Sequence, residues 1–362
     1  MRIILQKERS LSLSKETMTK IKSEGFFIVK KGESKEAFEL REFDIDVPAA
    51  DEVLIEVEAF GLNYADVMAR RGLYREAPPF PCIVGYEAVG NIVQCGPEAD
   101  QSLLNKRVIA FCRFGGYSKH VITNDYAVVP IQNQPAEELL ALCTQAVTAY
   151  YMAEYLTPIH KIDTVLIHAA AGGVGTILIQ LAKLKGATVI AKIGREEKTD
   201  VVKNLGADHV VNYNTSDYAE QINGILKGKR IDISFNPAAG STYKKDMQLL
   251  GSGGRMILFG ASELARGKWG IFSKLNFVRK MGFVLPIGLM MRSKNIMGVN
   301  MLKIADNKPK VMEHCLTEVV RLYDAGKIKP QVGGKYTSAQ LCDAHDTLES
   351  GKSTGKLSVF WE

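Results

Sequence analysis

The run Ala169-Ala170-Ala171-Gly172-Gly173-Val174-Gly175 constrains the fold of this chain more than any other segment. Upstream of it, Thr164-Val165-Leu166-Ile167-His168 reads as a buried strand. Downstream, Thr176 to Lys183 reads as an amphipathic helix. A glycine-rich turn by itself is a weak signal, because such turns also serve only to pack a helix against its neighbour. Set between a strand and a helix, it has the form of a dinucleotide-binding turn. Glycines let the backbone come close to a pyrophosphate. The first turn of the helix offers unpaired N–H groups at its positive end.

The alternation continues beyond the turn. Strands are expected at 164–169, 187–193, 209–213, 231–236 and 255–260, with helical patterns between them. Such an order predicts a parallel sheet with helices on both faces. From Gly25 to about Pro130 the pattern is different. Val53–Ala59, Ala88–Val93 and Arg107–Phe111 alternate with period two and are separated by Gly, Pro and Asp, which reads as a β-rich domain. A helical pattern covers Glu137–Leu156. A second helix from about Pro309 to Ala325 and short strands near Lys356–Phe360 close the chain, the strands returning to pair with the first domain.

Bulk properties exclude several classes. The chain has 362 residues, 46% of them apolar, enough for a sizeable core in one large or two smaller domains. Nine Lys/Arg against four acids in residues 1–35 supply +5 of the net +6. The body is nearly neutral, so no nucleic-acid partner is expected. Six cysteines (Cys82, Cys95, Cys112, Cys143, Cys315, Cys342) lack CxxC spacing, which predicts reduced, buried thiols and a cytoplasmic setting. Ile3-Ile4-Leu5 is too short for a secretory signal, so residues 1–24 are expected to form a flexible tail, unless translation starts at Met18. The apolar run Met281–Met291 is broken by Gly282, Pro286 and Gly288 and is too short to span a bilayer.

The residue ending the second strand of a dinucleotide fold reads the adenosine ribose. Here Ala187–Ile193 runs into Gly194-Arg195, with no acid at the tip and with Lys198 close by. Cations without an acid favour the 2′-phosphate of NADPH over NADH. The plainer alternative is a solvated loop in which Glu196 and Glu197 offset part of the charge.

Six segments together carry a resemblance. They are Gly61-Leu62-Asn63-Tyr64-Ala65-Asp66-Val67-Met68-Ala69-Arg70-Arg71-Gly72-Leu73-Tyr74, Gly85-Tyr86-Glu87-Ala88-Val89-Gly90, Gly115-Gly116-Tyr117-Ser118, Thr148-Ala149-Tyr150-Tyr151, the Ala169–Gly175 turn, and Leu205-Gly206-Ala207-Asp208-His209-Val210-Val211-Asn212-Tyr213. In this order they resemble the zinc-free quinone oxidoreductase group of the medium-chain dehydrogenase/reductase superfamily, related to the alcohol dehydrogenases. The basic, aromatic stretch after Ser262 resembles the vesicle amine transport protein-like branch.

The resemblance implies an α/β fold in which a GroES-like β-domain (25–147 with 305–362) carries an inserted Rossmann domain (148–304), a doubly wound parallel sheet. NADPH would lie in the cleft between them. Thr148 would sit near the nicotinamide, and Ala171, Gly172, Gly173 and Val174 along the pyrophosphate. Gly194, Arg195, Lys198 and Tyr213 would surround the 2′-phosphate, with Asn236 and Gly260 bordering the ribose and nicotinamide. Ala170 departs from the fingerprint by replacing its first glycine. Asn63 would lie beside the substrate oxygen, and Tyr74 on the cleft wall with its hydroxyl available as a donor. Tyr64 is a lesser candidate. The bland alternatives are a turn cap for Asn63 and packing for Tyr74.

Zinc-dependent relatives place Cys where this chain has Asn63, His where it has Tyr86, and a further Cys near Thr144. Catalytic zinc needs three such ligands, so no metal is expected and all six His are read as structural. The implied activity is hydride transfer from NADPH to a quinone or an α,β-unsaturated carbonyl, whose product charge is delocalised. Two other classes stay open: an enoyl-thioester reductase, and a nucleotide-binding, non-catalytic protein associated with partners or a membrane surface. A homodimer is expected, pairing along a strand at Asn295–Met301.

From Leu264 to Ala305 there is no Asp or Glu, while Arg266, Lys268, Lys274, Arg279, Lys280, Arg292, Lys294 and Lys303 are mixed with Trp269, Phe272, Phe277, Phe283 and Leu285. A substrate lid or subunit contact is expected there. A membrane-surface segment is possible but less favoured, because glycines and proline break its helix. An insertion packed on the core by its apolar side is the remaining alternative.

Overall fold

The computed structural model describes residues 20–265 and 270–362. Its strands, in chain order, are β1 (Ile21–Ile28), β2 (Phe38–Ile45), β3 (Glu52–Leu62), β4 (Cys82–Ile83), β5 (Glu87–Cys95), β6 (Arg107–Phe111), β7 (His120–Asn124), β8 (Val128–Pro130), β9 (Thr164–Ile167), β10 (Thr188–Ile193), β11 (His209–Asn212), β12 (Ile231–Asn236), β13 (Leu250–Leu258), β14 (Asn295–Gly298), β15 (Val332–Thr337) and β16 (Lys356–Phe360).

Six of these form a wholly parallel sheet in the order β11-β10-β9-β12-β13-β14. Strands buried on both faces are largely apolar, and Val165, Leu166, Ile167, Val189, Ile190 and Ala191 are all fully buried. The strand order reverses between β9 and β12, so a crevice opens at the carboxyl ends of these two strands.

A second sheet runs β15-β16-β3-β5-β6-β8, with β7 also on β3. The returning end of the chain is β16, antiparallel to β3 with Val359 opposite Phe60. Its partner on the other side, β15, is parallel. A third sheet, β2-β1-β4, leans on this domain through Phe26, stacked on Trp361 at 5.3 Å. Residues 21–24, assigned above to a flexible tail, instead begin β1, with Ile21 opposite Ile45. Residues 1–19 of that tail, Met18 included, lie outside the described residues.

The helical stretch Ala136–Leu156, which includes π-helical turns at Leu142–Ala146 and Tyr151–Leu156, joins the two domains. Leu139, Leu142, Val147 and Met152 share one buried core with Tyr86, Val89 and Ile109 on one side and Val165, Ile167 and Ile177 on the other. The domains are therefore packed together rather than tethered.

Several element boundaries differ from the sequence expectation. β13 begins at Leu250 rather than 255. β14 ends at Gly298, not Met301, because the Asn300 side chain accepts N–H bonds from Leu302 and Lys303 at 3.1 and 3.4 Å and starts a helix. Side-chain capping of this kind ends the extended backbone.

The acid-free stretch contains helices at Gly270–Met281 and Pro286–Arg292. Leu275, Val278, Leu285, Ile287, Met290 and Met291 are exposed, and Phe283 is 98% exposed. These apolar side chains do not face the core, whereas Met281 at the end of the first helix packs partly against it and Phe277 is half-buried. Arg266, Lys268 and Trp269 lie outside the described residues. Among those described, no helix is long and apolar enough to cross a membrane. The six cysteines are unbridged, and Cys82, Cys112, Cys143 and Cys315 are buried.

Candidate active site

The glycine turn leaves β9 at the point where the strand order reverses. Ala169 takes a left-handed backbone (φ 48°), and Gly172 is the extended N-cap of the helix Gly173–Leu184. The first N–H groups of a helix have no partner within it, and Gly172 has no side chain to cap them. Space is the other requirement. A Cβ on Gly175 would lie 2.5 Å from the Ala169 carbonyl oxygen, and one on Gly173 would lie 1.8 Å from Gln145 Oε1. The Gln145 side chain thus lies directly against Gly173, and the N–H groups of this first turn, left without a side-chain cap, are of the kind an anion accepts. The buried Ala171 turns its carbonyl to the N–H of Gly355, at 3.0 Å, tying the turn to the loop before β16.

Gly194, Arg195, Lys198 and Tyr213 come together at the carboxyl ends of β10 and β11. A Cβ on Gly194 would lie 2.3 Å from the Tyr213 hydroxyl. Arg195 is exposed. Lys198 is engaged in a way the sequence did not signal: its ammonium donates to the carbonyls of Gly351 and Ser353 at 2.8 and 2.6 Å. Burial, and then the neighbouring Arg195, hold its pKa below the ordinary lysine value.

Asn236 is placed differently from the expectation. It is fully buried, and its Nδ2 donates to Asp246 Oδ2 (2.7 Å) and Thr242 Oγ1 (2.8 Å), while Oδ1 accepts the N–H groups of Ala238 and Ala239, both at 2.9 Å. Its side chain holds the loop after β12, where Ala239 is also left-handed (φ 53°). Only the backbone there is left for a ligand. Asp246 gathers this network, accepting also from Tyr218 and Ser234, both at 2.7 Å, and lying 2.8 Å from His168 Nε2. Burial lowers the His168 pKa, so the ring is neutral; Nε2 then carries the proton toward Asp246, and Nδ1 accepts from Lys192 at 3.1 Å. Burial pushes the Asp246 carboxyl up, but His168, Ser234 and Tyr218 outweigh it and hold it below its ordinary value. Gly260 runs beside Pro237, whose carbonyl a Cβ would meet at 2.7 Å. Thr148 donates its hydroxyl to Thr144 O at 2.6 Å.

Across the cleft, Asn63 ends β3 and precedes the helix Tyr64–Arg70. Its N–H is capped by Asp66 Oδ2 at 2.8 Å, its Nδ2 donates to Glu87 Oε1 at 2.8 Å, and its Oδ1 accepts from Lys356 Nζ at 3.1 Å. Lys356 also pairs with Glu87, whose other oxygen accepts the Thr144 N–H at 2.8 Å. Neither Glu87 nor Lys356 was singled out from the sequence. A charged residue inside an apolar strand pattern was the available signal. Tyr74 is half-buried and meets Tyr86 edge-on, with centroids 6.2 Å apart; Tyr86 meets Phe114 at 5.4 Å. Burial raises the Tyr74 pKa, so its hydroxyl keeps its proton. Tyr64 is half-buried at the start of its helix.

Asp66 is completely buried beneath Asn63, and burial pushes its pKa up to about 7 despite the Asn63 N–H and Lys356. Between the unfolded value near ~4 and this one, the folded chain holds a proton that the unfolded chain has released. Stability therefore falls as pH rises, by about 1.4 kcal/mol per pH unit at most, and levels off above the folded pKa. Urea titrations at pH 5, 6, 7 and 8 are expected to show this fall, and Asp66→Asn to flatten it. An equal slope in the variant would refute the assignment.

Residues 49–133 match the alcohol dehydrogenase GroES-like domain family, and residues 173–317 match the family described as zinc-binding dehydrogenase. The chain belongs to the medium-chain dehydrogenase/reductase superfamily. It is 30% identical to the zebrafish synaptic vesicle membrane protein VAT-1 homolog over 313 residues, which is 86% of this chain and 64% of that protein. It is 27% identical to human quinone oxidoreductase over 87% of this chain and 91% of that one. The Escherichia coli quinone oxidoreductase, solved in complex with NADPH, superposes with a TM-score of 0.81 at 26% identity, covering 93% of this chain and 99% of the other. This superfamily member is an oxidoreductase using a nicotinamide nucleotide.

The zinc in the matched family's name finds no donor set here. Asn63, Tyr86 and Thr144 offer an amide, a phenol and a hydroxyl, and the Lys356 ammonium occupies the space between Asn63 and Glu87. Among the described residues, no group of three His, Cys, Asp or Glu side chains could hold a metal. The nucleotide fits better, because the helix start at Gly173 carries N–H groups with no side-chain cap and Arg195 stands exposed just past the end of β10.

Proposed function

We propose that the chain is a zinc-independent oxidoreductase that uses NADPH to reduce a quinone or an α,β-unsaturated carbonyl. The observation that carries this reading is the cleft wall opposite the glycine turn. It combines half-buried aromatic faces (Tyr74 and Phe114, with Tyr86 packed behind them) with neutral hydrogen-bond donors and no set of metal ligands. The nicotinamide, when bound, supplies a hydride. The protein's part is to seat a flat acceptor against the aromatic rings and stabilise charge on its oxygen. Asn63 has one Nδ2 hydrogen beyond the one given to Glu87, and Tyr74 has its hydroxyl. Neutral donors suit a delocalised phenolate or enolate. The preference for NADPH rests on Arg195 and Lys198, with no acid at the tip of β10.

Purified protein is expected to oxidise NADPH only when 1,4-benzoquinone, 9,10-phenanthrenequinone or a simple enone is added, with or without a zinc chelator. Asn63→Ala is expected to lower kcat about 100-fold, as loss of an oxyanion donor does. Loss of turnover on chelation, or an unaffected variant, would count against the proposal.

A basic groove for a thioester arm is less well supported, because Lys280 pairs with Glu263 and Lys294 donates to the Met247 carbonyl. The edge strand β14, flanked by the exposed Met290 and Met291, suits pairing with a second copy. A solution mass of one chain would dismiss that arrangement. The domain limits proposed here are 25–147 with 305–362 and 148–304, with β1 carrying the first domain back to Ile21.

A further inference from the structure

Lys356 and Glu87 are both fully buried, yet neither is used in the reading above except as a neighbour. Placing two charges out of water costs more than their attraction returns unless every polar atom is satisfied. Here they are nearly so. The Lys356 ammonium donates to Leu62 O and Asn63 Oδ1, each at 3.1 Å, and to Glu87. Glu87 in turn accepts from Asn63 Nδ2 and from the Thr144 N–H, each at 2.8 Å. The pair brings together the end of β3, the start of β5, the start of β16 and the helix carrying Thr144 and Thr148. Gly61 gives it room, since a Cβ there would lie 2.3 Å from both Glu87 Oε1 and Lys356 Cε.

A carboxamide is nearly symmetric in shape, so packing alone does not decide which end faces which way. Charge does decide it here. The oxygen of Asn63 faces an ammonium and its nitrogen faces a carboxylate. A half-turn of the amide would set oxygen against carboxylate and N–H against ammonium, two repulsions in place of two charge-assisted bonds. The ion pair is neutral overall, so it adds orientation rather than net positive potential to the cleft.

We propose that Lys356, paired with Glu87, is a positioning residue for hydride transfer: it locks the Asn63 amide so that the second Nδ2 hydrogen meets the acceptor oxygen. This rests on the function proposed above. Lys356 acts only through Asn63, and no proton or electron passes through it.

The test is a double-mutant cycle on kcat. Lys356→Met is expected to lower kcat about 30-fold while the KM for the quinone and the Kd for NADPH stay within about twofold. Lys356→Arg should recover part of the loss. The decisive comparison is Asn63→Ala with Asn63→Ala/Lys356→Met. If Lys356 works through Asn63, the double variant is no slower than Asn63→Ala alone. If the two losses multiply, or Lys356→Met leaves kcat unchanged, the proposal is wrong. Should Lys356→Met fail to fold, the same cycle is run in Glu87→Gln/Lys356→Met, where neither charge is left alone. If wild-type protein turns over no acceptor, the proposed function fails separately. The locking is then read from hydrogen exchange of the Asn63 side-chain amide, expected to be slow in wild type and at least 10-fold faster in Lys356→Met; equal rates would overturn it.

Discussion

Asp246→Leu is expected to destabilise the chain by about 3–5 kcal/mol, because it removes one side of a buried, charged hydrogen-bond network. The Asp246 carboxylate is the shared acceptor for Tyr218, Ser234 and Asn236 and lies against His168. All of these are buried, so their freed polar atoms would meet no water. A loss of this size is a large part of the ~5–15 kcal/mol that holds a typical domain together. Asp246→Asn keeps the shape but turns an N–H toward donors, and should cost about 1–3 kcal/mol. Urea denaturation measures both. A change below 1 kcal/mol in Asp246→Leu would mean the network is not as closed as its distances say.

Gly175→Val is expected to abolish nucleotide binding, weakening it more than 100-fold, or about 2.7 kcal/mol. Its Cβ would press on the Ala169 carbonyl at 2.5 Å and on Ala170 Cα at 2.7 Å. Those are backbone atoms, so the helix must move off the strand end and the turn loses its shape. Gly173→Ala makes a different contact, against the Gln145 side-chain amide. It should weaken binding less, and Gln145→Ala should restore it. Fluorescence titration with NADPH decides the matter. Unchanged affinity in Gly175→Val would separate the turn from the cofactor.

The fold was legible because its signals are local. A strand, a glycine turn and a helix lie in one short run, and the period-two segments of β3, β5 and β6 read directly. The hairpin of β1 and β2 did not, since Ile21-Lys22-Ser23-Glu24-Gly25 has little alternation and is ordered by pairing with β2 and by Phe26 against Trp361. Site residues next to a motif, such as Gly173, Asn63 and Tyr74, were visible as candidates. The groups that complete the site were not. Lys356 is 293 positions from Asn63, and Gly351, which takes the Lys198 ammonium, is 153 from it. Contacts made by chain return carry no local pattern. Asn236 shows the converse: its place at a strand end was legible, but the Asp246 and Thr242 partners that turn its amide inward were not.

The most direct test of the account is titration of wild-type protein and Arg195→Ala/Lys198→Ala with NADPH and NADH, followed by addition of 1,4-benzoquinone. Wild type is expected to bind NADPH at least 10-fold more tightly than NADH, the double variant to lose this preference, and quinone to consume the nicotinamide absorbance. Equal affinity for the two nucleotides in wild type, or binding of neither, would contradict it.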